Sequence, residues 1–196
     1  MKKIELVFAT NNQNKVNEIR SILKDPIEII TLLEAGIDID IPEPHQTLEA
    51  NASEKSFTIH QITHKNCFSE DTGLEVFSLG GEPGVKSARY AGEGRNFQDN
   101  INLLLKNLDG VSNRSAQFRT VVSLRWEDQE YLFTGICKGT IIEFQKGTQG
   151  FGYDPIFVPD GSTYTFAEMG MEEKNKFSHL KKAVAQLIEF LQLKVL

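Results

Sequence analysis

Hydrophobic and polar positions along the chain follow two periods, one typical of strands and one of helices. The spacing predicts strands over 3–10, 27–33, 116–126 and 131–142, and helices over 14–23, 48–62, 97–108 and 183–191. Thr47 and Asn96 are typical caps for the starts of two of these helices. The strands at 116–126 and 131–142 are joined by a short polar turn, so they run antiparallel, and an α/β fold with a mixed sheet is expected. No Gly-x-Gly-x-x-Gly fingerprint follows the first strand.

The length, net charge and cysteine content of the sequence exclude several classes of protein. The 196 residues contain no linker or repeat, so a single domain over 1–196 is expected. A net charge of −6 argues against a general nucleic-acid binder, and the apolar runs are too short for a membrane span. The start of the chain lacks the apolar segment of a signal peptide, which favours a cytoplasmic location. Cys67 and Cys137 do not have zinc-ligand spacing and suggest two buried thiols.

Two adjacent acids are the most informative feature. Glu70 and Asp71 follow an apolar, strand-like segment and precede Thr72-Gly73, where a turn is expected. Neighbouring carboxylates repel, and burial strengthens that repulsion unless a cation matches them. Mg²⁺ prefers carboxylate oxygens and accepts phosphate oxygens beside them, so one interpretation is a magnesium site for a phosphate substrate. The alternative is a solvated turn with two surface acids.

Further candidates for phosphate or metal binding lie near the N-terminus. The polar run Thr10 to Lys15 joins the first strand to a helix, and the start of a helix attracts anions. The alternative is a polar helix cap with a solvated lysine. Glu43 lies in an extended, proline-bounded loop, and Lys55 lies on the following helix. These two residues could serve a metal and a phosphate, but taken alone they are interpreted as surface charges.

Near the C-terminus, glycines surround two aromatic residues in the loop 147–155. The glycines permit close approach to a flat ligand, and Phe151 and Tyr153 offer stacking faces. A loop that binds a base is one interpretation, and an aromatic-filled turn is the other. Lys174 and His179 lie before or within the first turns of the last helix, where anions are favoured.

Five blocks, in this order, carry a resemblance to a known family. They are Ala9-Thr-Asn-Asn-x-x-Lys15, Glu70-Asp-Thr-Gly-Leu74, Gly84-Val-x-Ser-Ala-Arg-Tyr90, Gly150-Phe-Gly-Tyr-Asp-Pro-Ile-Phe157 and Glu173-Lys-Asn-x-x-Ser-His179. Together they resemble the inosine triphosphate pyrophosphatases, which hydrolyse ITP, dITP and XTP to the monophosphate and pyrophosphate. The resemblance runs nearly end to end.

The resemblance implies an elongated mixed β-sheet flanked by helices, two lobes with a central cleft, a homodimer, and Mg²⁺ as cofactor. It implies that Glu43 and Asp71 serve the Mg²⁺ and that Asp71 is also the catalytic base. The residues implied to hold the triphosphate are Thr10, Asn11, Asn12, Gln13, Asn14 and Lys15. Those implied to contact the nucleotide are Thr72, Phe151, Gly152, Tyr153, Asp154, Lys174 and His179.

Two positions depart from the family pattern. Leu180 stands where the family usually has Arg after Ser-His, so one base or phosphate contact is expected to be missing, or supplied by Lys181 or Lys182. Glu43 is followed by Pro-His-Gln-Thr, where the family commonly has Thr-Gly. Two alternative functions remain open. One is a pyrophosphatase for another modified nucleotide, and the other is a non-catalytic nucleotide-binding module.

Overall fold

The computed structural model describes residues 3–23 and 26–195. The strands within these residues are β1 (Ile4–Phe8), β2 (Ile27–Thr31), β3 (Cys67–Val76), β4 (Pro83–Gly84), β5 (Ser115–Trp126), β6 (Gln129–Ile141) and β7 (Phe157–Pro159). The helices are α1 (Gln13–Ile22), α2 (Leu48–Thr63), α3 (Phe97–Asn107), α4 (Met171–Phe177) and α5 (His179–Val195). Over the same residues, no helix has both the length and the apolar character that a bilayer span requires.

The strands form one mixed sheet in the order β2-β1-β3-β5-β6-β7, with β4 paired to β3. β1 is parallel to β2, with Ile4 opposite Ile27, and parallel to β3, with Phe8 opposite Phe68. β4 and β7 pair antiparallel to β3 and β6. The predicted mixed sheet flanked by helices is therefore confirmed.

Contacts within the chain define two compact units. Unit 1 contains residues 1–71, 120–135 and 180–196, and unit 2 contains residues 72–119 and 136–179. The strands β3, β5 and β6 each change unit along their length. Each unit has its own hydrophobic core, and each is described by itself below.

The main core of unit 1 lies between its strands and helices α1 and α5. Phe8 and Phe68 stack with ring centroids 4.5 Å apart, as expected for residues paired across parallel strands. The inward face of α5 contributes Leu180, Ala183, Val184, Leu187 and Leu191. Leu180, only 2% exposed, is therefore a core residue of unit 1.

The core of unit 2 is rich in aromatic rings. Phe118 packs against Phe157 and Phe166 at centroid distances of 4.7 and 6.0 Å. The inward face of α3 adds Ile101, Leu104 and Leu108 to the same cluster. Burial of these side chains fixes β5, β7 and α3 as one body.

The predicted helix starts at Thr47 and Asn96 are confirmed. The Thr47 hydroxyl accepts a hydrogen bond from the Ala50 N–H, and Asn96 Oδ1 accepts hydrogen bonds from the N–H groups of Gln98 and Asp99. Helical periodicity places Ile62 and Phe97 on the inward faces of these two helices. This expectation is wrong, because Ile62 is 52% exposed and Phe97 is 44% exposed. Both residues lie at a helix end, where periodicity alone defines the buried face poorly.

The expected turn at Thr72-Gly73 is also wrong, because β3 continues through it to Val76. Leu74 pairs with Gly84 on β4, and a Cβ at Gly73 would lie 2.7 Å from the Gly84 carbonyl oxygen. Glycine at this position therefore permits close strand approach rather than a turn.

We expect Gly73→Ala to lower the free energy of unfolding by about 1–3 kcal/mol, because the clashing atoms belong to the Gly84 backbone and cannot rotate away. The control is Gly94→Ala, where a Cβ meets nothing within 4 Å and the change should stay within about 0.5 kcal/mol. Chemical denaturation of both variants measures the difference. Equal stability of the two variants would contradict this account of β3.

Candidate functional site

Asp71 lies at the centre of a buried group of charged and polar side chains in unit 1. It is 6% exposed, and its Oδ2 accepts a hydrogen bond from Asn51 Nδ2 at 3.3 Å. Its Oδ1 lies 3.7 Å from Lys55 Nζ. Asn51 and Lys55 are one turn apart on α2, so a single helix face contacts both carboxylate oxygens.

Lys55 also binds Glu43, with Nζ 2.6 Å from Glu43 Oε1. The side chain of Lys55 is buried, so the interpretation of Lys55 as a surface charge is wrong. Its ammonium group is enclosed because carboxylates from the proline-bounded loop and from β3 both face it. Glu43 and Asp71 thus converge on one ammonium group.

Lys15 and Glu70 form the second ion pair of this group. Lys15 Nζ lies 2.5 Å from Glu70 Oε1, and Glu70 is 2% exposed. Neighbouring strand residues point in opposite directions, which gives Glu70 and Asp71 different partners. The alternative of two solvated surface acids is therefore excluded by their burial.

Burial is the largest influence on the pKa of Asp71 and raises it. Lys55 and Lys15 oppose this rise, while Glu43 and Glu70 reinforce it, and the resulting pKa is about 6. Burial alone would lower the pKa of Lys15, but Glu70, Asp71 and Glu43 together raise it above its ordinary value. The group thus combines three carboxylates with two ammonium groups and favours a further positive charge.

The remaining residues of the Thr10 to Lys15 run form the start of α1. Asn12 caps the helix, its Oδ1 accepting hydrogen bonds from the N–H groups of Asn14 and Lys15 at 3.0 and 3.4 Å. Thr10 Oγ1 accepts from the Asn12 N–H, and Asn11 Nδ2 donates to the Ile39 carbonyl oxygen. Gln13 and Asn14 are exposed. This run therefore orients Lys15 toward the carboxylates.

The donor chemistry of unit 1 fits a hard divalent cation. Glu43 and Asp71 offer carboxylate oxygens, and the Lys55 ammonium stands where both are directed. Among residues 3–23 and 26–195, no three His, Cys, Asp or Glu side chains are already grouped around one point as metal ligands. A cation bound here would have to replace Lys55 as their partner.

In unit 2, the loop around Phe151 is held by a buried ion pair. Asp154 Oδ2 accepts hydrogen bonds from the Phe151 N–H at 3.0 Å and from Lys174 Nζ at 2.9 Å. Both charged residues are buried, and Lys174 Nζ lies 5.2 Å from the centroid of the half-buried Phe151 ring. Gly150 has a φ of +76°, and a Cβ there would clash with the Asp154 carboxylate. The loop is therefore rigidly shaped around Asp154.

Tyr153 and His179 belong to the packed part of unit 2. The Tyr153 hydroxyl donates to the Ser87 carbonyl oxygen at 2.9 Å, and burial raises the pKa of this phenol. The His179 ring stacks on Phe118 at 4.9 Å. Gly152 and Thr72 are partly exposed, and Thr72 directly follows Asp71 along β3.

Asn51 is a residue of this group that the sequence alone did not indicate. A polar residue inside a predicted helix carries no motif of its own. One signal was present, because Asn51 and Lys55 lie four residues apart and face the same side of α2.

Comparison with known proteins supports the resemblance found in the sequence. A sequence model of the Ham1 family matches residues 6–190. The dITP/XTP pyrophosphatase of Flavobacterium johnsoniae is 52% identical over 188 residues, covering 96% of this chain and 98% of that protein. The dITP/XTP pyrophosphatase of Flavobacterium psychrophilum is 51% identical over 187 residues, with 95% and 98% coverage.

The solved structure of the Staphylococcus aureus Ham1 protein is similar in fold. It superposes with a TM-score of 0.89 at 39% identity, covering 97% of this chain and all of that chain. The family match, the identities and the common fold each extend over nearly the whole sequence, and the chain therefore belongs to the Ham1 family.

Proposed function

We propose that this protein hydrolyses nonstandard purine nucleoside triphosphates, ITP, dITP and XTP, to the monophosphate and pyrophosphate. The observation that carries the proposal is the convergence of Glu43 and Asp71 on one buried cationic group, with Lys15 beside them. The relatives with about half their residues identical are dITP/XTP pyrophosphatases, which supports the same reaction here.

The two lysines of unit 1 suit a triphosphate. Lys15 is positioned by the Asn12 cap at the start of α1, where backbone N–H groups and the helix dipole favour an anion. Lys55 lies between two carboxylates and can exchange one of them for a phosphate oxygen. Together with a bound cation, these two lysines would let an acidic protein hold a highly charged substrate.

Glu43 and Asp71 are the proposed ligands of a magnesium ion. When bound, Mg²⁺ supplies charge neutralisation and polarisation of phosphate oxygens. A Mg²⁺ ion on Glu43 and Asp71 would replace Lys55 as their partner. The Lys55 ammonium would then be available to the phosphates. The three carboxylates then face positive charge rather than one another.

Asp71 is the proposed general base for the attacking water. The carboxylate is buried, and the hydrogen bond from Asn51 Nδ2 to Oδ2 orients it. The oxygen of the attacking water bonds to the α-phosphorus as the bond from that phosphorus to the bridging oxygen breaks. Pyrophosphate leaves with the bridging oxygen, and a proton of the water passes to the Asp71 carboxylate. Glu70 is paired with Lys15 and is assigned to charge balance rather than proton transfer.

The loop of unit 2 carries the proposed contacts to the base. The Phe151 N–H is bonded to Asp154, and the Asp154 N–H is bonded to the Phe151 carbonyl oxygen. The proposed donors to the 6-oxo group of the purine are therefore the N–H groups of Gly152 and Tyr153, together with His179. Adenine carries an amino group at that position. The N–H donors of the protein would then face an N–H donor of the base, and neither would find an acceptor.

The substrate prediction follows from this mismatch. With Mg²⁺, we expect ITP, XTP and dITP to be hydrolysed with a kcat/KM at least about 100-fold above that of ATP, and pyrophosphate to be the product. Separate assays of pyrophosphate and orthophosphate over a panel that includes GTP measure both. Equal use of ATP would contradict the base contacts, and orthophosphate release would contradict the reaction.

We expect Asp71→Asn to lower kcat at least about 100-fold, because the amide cannot accept the proton. The same change should raise thermal stability in EDTA at pH 7.5. The folded pKa of about 6 lies above the ordinary value, so the stability that Asp71 contributes is present below about pH 4 and lost as pH rises through 6.

The Asp71→Asn variant has no carboxylate to ionise and avoids that loss. It should therefore be more stable than wild type by about 1–3 kcal/mol at pH 7.5 and equally stable at pH 4. Differential scanning calorimetry at both pH values measures the effect. The exposed Asp160 provides the control, and Asp160→Asn should change neither kcat nor stability. Wild-type turnover by Asp71→Asn would remove Asp71 from the mechanism.

The buried ion pair of unit 2 gives a further prediction. Lys174→Met should lower the free energy of unfolding by about 3–5 kcal/mol, because Asp154 would remain buried without its ammonium partner. Its KM for ITP should also rise as the Phe151 loop loses its shape. The control is Lys176→Met on the exposed face of α4, which should change neither quantity. Matching results for the two variants would show that the loop does not depend on this pair.

A further inference from the structure

Asn51 makes three hydrogen bonds that connect two separate parts of the proposed site. It is 1% exposed, and its Oδ1 accepts from the His45 N–H at 2.9 Å. Its Nδ2 donates to the His45 carbonyl oxygen at 3.2 Å and to Asp71 Oδ2 at 3.3 Å. The amide therefore uses both of its ends on the loop that carries Glu43 and also contacts Asp71.

Lys55 makes the matching pair of contacts one turn further along α2. Its ammonium group lies against the Glu43 side chain and near Asp71 Oδ1. Lys55 interacts with the two carboxylates through its charge. A bound cation or phosphate would weaken these ion pairs. Asn51 holds the backbone beside Glu43 and the other oxygen of Asp71 by neutral hydrogen bonds, which can persist when Lys55 moves.

The backbone of the loop transmits this hold to Glu43. Only Pro44 separates Glu43 from His45, and the proline ring fixes its own φ. Anchoring His45 at both its N–H and its carbonyl oxygen therefore restricts where the Glu43 carboxylate can lie. Without that anchor, the loop would be free to separate Glu43 from Asp71.

We propose that Asn51 is a positioning residue. By hydrogen bonding to both the His45 backbone and the Asp71 carboxylate, it fixes the position of Glu43 relative to Asp71. The inference rests on the proposed function, because it assigns Glu43 and Asp71 a shared task. Asn51 does not contact the reacting atoms. Its effect on turnover and on magnesium dependence passes through these two carboxylates.

Asn100 supplies a matched control within the same chain. It is also the fourth residue of its helix, α3, and is 2% exposed. Its Oδ1 accepts from the Ala91 N–H at 2.7 Å, and its Nδ2 donates to the Ala88 carbonyl oxygen at 3.0 Å. Loss of this amide removes comparable hydrogen bonds to a loop backbone in unit 2 without removing any contact to Glu43 or Asp71.

The experiment compares Asn51→Ala, Asn51→Asp and Asn100→Ala. We expect Asn51→Ala to lower kcat for ITP about 10–100-fold and to raise the Mg²⁺ concentration for half-maximal activity by a similar factor. KM for ITP at saturating Mg²⁺ should change much less. Asn100→Ala should unfold at a similarly reduced temperature but keep the wild-type Mg²⁺ requirement.

Hydrogen exchange of the His45 amide provides a readout that does not depend on activity. Asn51→Ala should speed this exchange, because the N–H loses its acceptor, whereas Asn100→Ala should leave it unchanged. Asn51→Asp keeps an acceptor for His45 but places a like charge beside Asp71. It should therefore retain the amide protection and still lose kcat.

Two results separate the inference from the function on which it rests. If Asn51→Ala and Asn51→Asp keep the wild-type kcat and Mg²⁺ requirement while wild type releases pyrophosphate from ITP, the inference is overturned and the proposed function stands. If wild type releases no pyrophosphate from any purine triphosphate, the proposed function is overturned, and the inference falls with it.

Discussion

The burial of Asp71 beside two other carboxylates is the constraint on which the functional part of unit 1 depends. An isolated buried carboxylate is costly, and Asp71 is tolerated because Lys55, Lys15 and Asn51 surround it. The fold thus raises the pKa of a carboxylate base and keeps two ammonium groups close to carboxylates. A ligand that brings both a cation and phosphates satisfies every one of these charges at once, which is why a metal-triphosphate complex suits the group.

Helix α2 is held firmly against the sheet, and this makes the charge arrangement precise enough to serve chemistry. Ser69 Oγ donates to the Ala52 carbonyl oxygen, and Cys67 Sγ donates to that of Ser56. The Ser56 hydroxyl in turn meets Ser123 Oγ at 2.6 Å. The bonded residues Ala52 and Ser56 directly follow Asn51 and Lys55 along the helix, so the turns that face Asp71 are bonded to the sheet. Small polar side chains of the sheet therefore support the site without entering it.

Local chemistry was readable from the sequence, whereas features created by distant partners were not. The caps at Thr47 and Asn96 were predictable because each cap bonds to its own first turn. Continuation of β3 through Gly73 depends on pairing with β4, and burial of Lys55 depends on acids from two other segments. The role of Leu180 required the packing of α5, which no motif encodes. The family blocks contain Glu70, Asp71 and Lys15, whereas Lys55 and Asn51 lie outside them.

The most direct test of the central claim is a ¹³C NMR titration of the Asp71 carboxyl group in the metal-free protein, assigned with Asp71→Asn. The account predicts a pKa of about 6, raised by burial against the opposing pull of Lys55 and Lys15. A pKa near the ordinary aspartate value of about 4 would show a solvated or fully compensated carboxylate, and would contradict the account.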